Sequence, residues 1–307
     1  MLVTLKQILG KAHRGHYAVG AFNVNNLEMI QAVMLAAEAE KSPAIMSTSE
    51  GAIHYAGMEE LGALAHLAAN RSKRAITFHL DHGKNVDLIK KAIRSGLYGS
   101  VMFDGSSLPY EENVATTKEL VALAHATNVS VEAELGAIAG IEDFVTVADR
   151  DANLTDPKQA VEFVKRTGCD ALAIAVGTKH GAYKFAGDSV LDYARIRKIA
   201  TAVKIPLVLH GASGVPEAIK KVCVQFGCEI EDAKGVSDAS IRKAVSLGIN
   251  KVNIDTDLRI AFDAGVRKFL HDNPKVIDPR EILKPATELI AKVVSQKMRL
   301  LGSSGKA

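Results

Sequence analysis

The chain has 307 residues, 48% of them hydrophobic, enough to bury a large core and a length that one α/β barrel fills without a second domain. Its 38 basic and 35 acidic residues are interspersed and leave a net charge of +3, so no basic stripe argues for nucleic acid, although single cations remain for an anionic metabolite. Three cysteines without a Cys-x-x-Cys pair exclude a disulfide framework, no run approaches the ~18 apolar residues of a membrane span, and residues 1–6 lack the apolar core of a signal peptide.

Those properties make a reducing cytoplasm the expected setting. Along the chain, short apolar runs alternate with longer amphipathic segments. Strands are expected at 17–22, 44–48, 75–79, 99–103, 129–134, 171–176, 206–210 and 251–254. Several are continuous apolar runs, such as Ala171-Leu172-Ala173-Ile174-Ala175-Val176, which suit parallel strands buried on both faces. Between them, Leu27, Ile30, Met34 and Ala37 recur at helical spacing behind Asn25-Asn26, and a helical segment starts at Asn85. Asp156-Pro157-Lys158-Gln159 reads as an N-cap, a first-turn proline and a capping Gln, and Asp278-Pro279-Arg280-Glu281 repeats the pattern. Eight strands alternating with helices over about 250 residues predict the α/β class and a (β/α)8 TIM barrel. The barrel is expected to be one catalytic domain over 1–307, with 278–307 as a C-terminal helical extension and tail. A doubly wound sheet is the competing architecture, weakened by the lack of Gly-x-Gly-x-x-Gly after the first strand.

Three segments exceed the minimal repeat. Residues 136–154 form a long polar loop of the kind that serves as a functional lid. Residues 222–235 lengthen the region after the seventh strand and hold Cys223 and Cys228. That spacing matches no familiar zinc pattern, so peripheral packing is the expectation. The Gly/Ser-rich tail 302–307 is expected to fray.

The ends of the eight strands carry the chemistry. Asn23 follows the first and Ser49 the second. His79, Asp81 and His82 follow the third, Asp104 the fourth, and Glu132 and Glu134 end the fifth. Gly177-Thr178-Lys179-His180-Gly181 and His210-Gly211-Ala212-Ser213-Gly214 follow the sixth and seventh, and Asn253, Asp255 and Thr256 close the eighth. In a barrel all of them converge on the C-terminal rim, where barrel active sites lie. His82, His180 and His210 offer three imidazoles from three ends, the arrangement of catalytic zinc with one position open. His79 competes with His82 and is given a supporting role. His54, His66 and His125 fall on helical or connecting segments and read as ordinary packing. The Gly211-Ala212-Ser213-Gly214 turn precedes a helix start, so its backbone N–H groups can cradle a phosphate. Asn253-Ile254-Asp255-Thr256 lies in the neighbouring loop, and Lys184 can neutralise the same group.

With these residues assembled, the chain closely resembles the class II, metal-dependent fructose-bisphosphate aldolases, over nearly its whole length. The resemblance rests on the ordered blocks 78–83, 101–106, 131–136, 177–181, 209–214 and 251–257. It implies reversible cleavage of fructose 1,6-bisphosphate to dihydroxyacetone phosphate and glyceraldehyde 3-phosphate through a zinc-stabilised enediolate. It makes His82, His180 and His210 ligands of Zn2+, with Co2+ as a substitute. Asp104 and Glu134 match positions that bind a second or alternative metal, and a second divalent or a monovalent cation is the further cofactor the resemblance implies. Asp81 becomes the acid/base at the C4 hydroxyl, and Glu142 the loop glutamate that removes the proton from dihydroxyacetone phosphate, with Asp143 as its competitor. Gly181, Lys184, Gly211, Ala212, Ser213, Asn253, Ile254, Asp255 and Thr256 match substrate positions around the first phosphate, joined by Asn23 and Ser49 at the rim. Arg280 matches an arginine that grips the distal phosphate from a neighbouring subunit, so a homo-oligomer, dimer or tetramer, is expected. Cytoplasmic glycolysis or gluconeogenesis, with neither nucleic acid nor membrane as partner, is the implied setting. Cleavage of tagatose 1,6-bisphosphate, metal-assisted hydrolysis on the same barrel, and a metabolite-binding barrel with structural zinc are the competing functions.

Overall fold

In a computed structural model of the chain, eight parallel strands close into a barrel. The structure describes residues 2–142, 145–147, 153–180, 191–230 and 233–307, with 139–142, 145–147 and 180 described as backbone only. The strands are β1 (Val19–Asn23), β2 (Ala44–Thr48), β3 (Ile76–Gly83), β4 (Ser100–Phe103), β5 (Ser130–Leu135), β6 (Ala139–Glu142), β7 (Val145–Val147), β8 (Ala171–Ile174), β9 (Lys179–His180), β10 (Leu207–Leu209) and β11 (Ile249–Ile254). The barrel runs β1-β2-β3-β4-β5-β8-β10-β11 and back to β1, every pairing parallel. The other three strands form a small sheet in the order β7-β6-β9.

Alternation along the barrel strands separates two apolar clusters. Ala18, Phe22, Met46, Val101, Phe103, Leu172, Ile174, Leu207 and Leu209 belong to a large cluster shared with the surrounding helices. Val19, Ala21, Ile45, Met102, Ala171, Ala173 and Val208 belong to a second, smaller cluster. Successive side chains on a strand point to opposite faces, so the smaller cluster is the barrel interior. Leu5, Ile8, Leu9 and Ala12 of the helix Leu5–Gly15 join it. That helix therefore closes one end of the barrel, leaving the opposite end for polar chemistry. It carries apolar residues at i, i+3, i+4 and i+7 behind a Thr4/Gln7 capping box, a signal present in the sequence but absent from the expected helices.

The expected helix starts are where the caps put them. Asn26, Asn85, Asp156 and Asp278 cap the helices Leu27–Glu40, Val86–Arg94, Pro157–Thr167 and Pro279–Leu301, each accepting a backbone N–H. The tail differs from the expectation of fraying. The Gly305 N–H donates to Glu40 O (2.8 Å) and the Ala307 N–H to Lys41 O (3.0 Å), while Ser303 is fully buried and hydrogen-bonded to Ser42. The last carbonyls of a helix lack partners within it, and the tail supplies donors where Leu27–Glu40 ends.

Candidate active site

The site is organised by β3. The strand was expected to stop at His79, but it continues through Asp81 and His82 to Gly83. Its register against β4 shifts between Leu80 and Gly83, and His82 has φ 46°, in the left-handed region. A bulge inserts an extra residue and re-aims the side chains beyond it. Regular alternation would turn His82 away from the face occupied by His79 and Asp81. The bulge instead brings Asp81 and His82 to the same polar cluster. A non-glycine residue at positive φ is costly and is retained where the surroundings hold it. The His82 N–H donates to Met102 Sδ (3.4 Å), and a Cβ on Gly83 would stand 2.6 Å from Met102 O, so this crossing requires glycine.

Around the bulge lies a buried polar layer. Asp81 accepts Asn253 Nδ2 (2.8 Å) on one oxygen and Asn23 Nδ2 (3.1 Å) on the other, so amides from β11 and β1 fix its carboxylate from both sides. His82 Nδ1 lies 3.8 Å from Asp104 and 3.9 Å from Glu134, and its ring meets that of His210 edge-on, centroids 4.3 Å apart. His210 Nε2 donates to Glu132 Oε1 (2.9 Å), which leaves the imidazole lone pair on Nδ1. Glu132 is in turn paired with the fully buried Lys251 (2.8 and 3.0 Å), and His79 binds Ser100 Oγ (2.7 Å) beside that pair. Burial, with the Lys251 ammonium close by, holds His79 well below the usual imidazole range and hence neutral. Burial would raise the Asp104 carboxyl, but hydrogen bonding and charge from His82, the Ser106 hydroxyl and Lys84 outweigh it and bring it well below the usual carboxylate range.

The residues fit a divalent cation. The donor atoms of Asp81, His82 and His210 lie within 4.8 Å of one another, and so do those of His82, Asp104 and Glu134. Both groups are buried and share His82. Asp81, Asp104, Glu132 and Glu134 are four buried carboxylates, against the ammoniums of Lys251 and the half-buried Lys84. As ionised groups, and with the His82 charge that lowers Asp104 added to the two ammoniums, they leave one negative charge in excess, and buried charge requires compensation. Nitrogen and oxygen donors of this kind suit Zn2+ and its first-row neighbours.

The phosphate-loop candidates lie beside this layer. Gly211 has φ 61°, and a Cβ there would stand 2.7 Å from Lys179 O, so the glycine lets the backbone of β9 approach the end of β10. The backbone of His180 is thereby carried to the strand that ends before His210. Its side chain, the side chain of Glu142, and Asp143, Gly181 and Lys184 lie outside what is described. Backbone pairing sets Gly140 opposite both His180 and Val147, so the expected lid contains a two-stranded hairpin extended by β9.

Ala212 and Ser213 are buried, and Ser213 Oγ accepts the Asp255 N–H (3.3 Å). The amides of Gly214 and Val215, expected to face a phosphate as part of the turn and helix start, donate instead to Asp257 (3.1 and 2.7 Å). Asp257 also holds Lys297 at 2.9 Å. Asp255 pairs with Arg259 and is the single residue between Ile254, the end of β11, and Thr256, which opens the helix Thr256–Asp272. Ser49 caps the helix Glu50–Ala56 by accepting the Ala52 N–H (3.2 Å). Arg280 stands apart: its side chain is 89% exposed and its hydrogen bonds go to Asp278.

Glu132 as a partner of His210, Lys251, Asp257 and Lys297 were not singled out in the sequence. Strand periodicity could have found the first two, since Glu132 precedes Glu134 and Lys251 precedes Asn253 by two positions, on the same strand faces. Nothing local signals the other pair, which joins the residue after Thr256 to the last helix.

A buried His/Asp/Glu cluster at the open end of a TIM barrel defines a barrel enzyme with a cation-binding centre. The model of the family "Fructose-bisphosphate aldolase class-II" matches residues 3–306. The chain is 49% identical over 307 residues to fructose-bisphosphate aldolase of Thermus caldophilus and 44% identical over 307 residues to that of Helicobacter pylori strain 26695, covering 100% of each chain. Its fold superposes on the crystal structure of the YdjI aldolase from Escherichia coli K12 with a TM-score of 0.81 at 34% identity, again over 100% of both chains. The chain belongs to the class II fructose-bisphosphate aldolase family and is thus a lyase of the aldolase kind.

Proposed function

We propose that the chain catalyses the reversible aldol cleavage of fructose 1,6-bisphosphate to dihydroxyacetone phosphate and glyceraldehyde 3-phosphate, with Zn2+ at the barrel rim. The observation that carries this reading is the pair of buried donor groups sharing His82, beside a carboxylate held by two amides. His82, His180 and His210 hold the catalytic ion, and Co2+ can replace it. Asp104 and Glu134 serve a second or alternative metal. When bound, the zinc ion supplies a Lewis acid for the negative charge left on the ketose fragment.

The chain's own groups handle protons and position. Asp81 takes the proton of the C4 hydroxyl as the C3–C4 bond breaks, and returns one to the aldehyde oxygen in the reverse direction. Its two amide contacts keep the carboxylate aimed at one place, from Asn23 and Asn253. Glu142 on the hairpin gives the proton to C3 of the resulting enediolate, and removes it in condensation. Gly181, Lys184, Gly211, Ala212, Ser213, Asn253, Ile254, Asp255 and Thr256 hold the first phosphate, and Ser49 completes the rim. Fixing the phosphate fixes the reacting bond, which converts binding into orientation. The exposure of Arg280 supports its service to the distal phosphate of a neighbouring chain in a homo-oligomer. Cytoplasmic glycolysis or gluconeogenesis is the setting, and no described helix is long and apolar enough to cross a membrane.

The test is cleavage of fructose and tagatose 1,6-bisphosphates, measured side by side as release of dihydroxyacetone phosphate. Preference for the fructose sugar, lost with chelator and restored by Zn2+ or Co2+, is expected. Preference for the C4 epimer would reassign the substrate, and chelator-resistant cleavage would remove the metal.

A further inference from the structure

Cys223, Cys228 and Asp263 come together on the outer helical layer, away from the polar layer inside the barrel. The helix Glu217–Gln225 ends in a turn in which the Cys228 N–H donates to Cys223 O and the Gly227 N–H to Val224 O, both at 3.0 Å. Gly227 has φ 88°. This pattern stacks the residue after the turn over the last helical turn, so cysteines five apart become neighbours. Asp263 arrives from the helix Thr256–Asp272, and its Oδ2 accepts Cys223 Sγ at 3.2 Å. The two sulfurs and a carboxylate oxygen lie within 4.8 Å of one another.

We propose that Cys223, Cys228 and Asp263 form a second, thiolate-based site for a soft divalent cation, Zn2+ or Cd2+ in chemistry. Sequence spacing matches no familiar zinc pattern because the third donor comes from another helix, 35 residues beyond Cys228. Ligand bonds of about 2.3 Å to sulfur set tetrahedral ligand separations near 3.8 Å, so small side-chain rotations close the cluster on an ion. Binding exchanges two thiol protons for one M2+, releasing two H+. Two thiolates and the carboxylate around M2+ leave one negative charge. Arg267, whose Nε donates to Asp263 Oδ2 at 2.8 Å, balances it and fixes the carboxylate. Cys223 is fully buried and Cys228 half-buried, so the fourth position opens on the Cys228 side, to water or a small ligand.

The structural consequence is a clamp. Val236, eight positions after Cys228, donates its N–H to Ser213 O (3.1 Å) in the turn proposed to hold phosphate. Tying Cys223 and Cys228 to Asp263 anchors the end of the helix Glu217–Gln225 to the helix following β11.

Thiolate coordination separates this site spectroscopically from the nitrogen and oxygen donors inside the barrel. Titrate the whole reduced protein with Cd2+, in a reductant that does not bind metal, and follow the ultraviolet thiolate-to-cadmium charge-transfer band. A band saturating at one thiolate-bound Cd2+ per chain is expected. Cys228→Ser should abolish it, and Asp263→Asn should weaken it at least about tenfold in affinity. Absence of the band in the reduced wild type, or a band indifferent to both substitutions, would overturn the proposal. Cys169, buried and remote in sequence from the pair, remains as the internal control in every variant.

Discussion

In the proposed reaction, Asp81 is the residue on which the chemistry turns. Both its oxygens accept amide N–H groups, and among the described residues the Oδ1 atoms of Asn23 and Asn253 have no hydrogen-bond partner. An amide in place of the carboxylate can therefore be accommodated if one of those asparagines flips, so Asp81→Asn should fold and keep its metal. Loss of the proton carrier should lower kcat about 10²–10⁴-fold. Metal analysis and turnover on the same sample check this, and retained turnover would remove Asp81 from the proton path. Glu132 is a different case, because its removal leaves the Lys251 ammonium buried without its carboxylate. Glu132→Gln should cost about 3–5 kcal/mol of stability, read from urea unfolding. A loss under about 1 kcal/mol would mean that Lys251 is neutral or solvated. Asp81, His82 and His210 were legible because each is an ionisable residue at the end of an apolar run. The Glu132–Lys251 pair was not, since 119 positions separate its members and only barrel closure joins them.

At the scale of elements, the strands were legible and their irregularities were not. Continuous apolar runs mark strands buried on both faces, which is how all eight barrel strands were located within a few residues. The β3 bulge depends on pairing with β4, which no single segment encodes. Its consequence is that two neighbours in sequence, Asp81 and His82, work on the same side of the sheet. The β10–β11 region shows the same limit. The Gly211–Gly214 turn and the helix start after it offered backbone N–H groups to a phosphate, yet Asp257 already takes the amides of Gly214 and Val215. Asp257 thus shapes the turn from behind, and Lys297 ties it to the last helix. Asp257→Ala removes two backbone hydrogen bonds and leaves Lys297, itself nearly buried, without this partner. It should raise KM for the bisphosphate more than it lowers kcat, because the turn loses shape while Asp81 is untouched. An unchanged KM would place the first phosphate elsewhere.

Across the whole molecule, a plugged barrel holds an excess of buried negative charge at its open end. That arrangement links stability to protons and to metal. His79 stays neutral in the folded protein, whereas in the unfolded chain it takes up a proton near pH ~6.5. Its contribution is therefore present above that pH and is lost as pH falls below it, by at most about 1.4 kcal/mol per pH unit until its folded pKa is reached. Urea midpoints of the metal-free protein should fall between pH 7 and 5, and His79→Gln should flatten that slope. An identical slope in both proteins would show that His79 charges without cost in the fold.

The central claim is that the His82 and His210 cluster holds the ion on which aldol cleavage depends. Metal content and fructose 1,6-bisphosphate cleavage should be measured on one set of samples as chelator strips the protein and Zn2+ refills it, with borohydride added during turnover in parallel. Cleavage proportional to metal content, recovery on refilling and no borohydride-trapped sugar adduct are predicted. Cleavage that persists in metal-free protein, with substrate trapped covalently on a lysine, would contradict it.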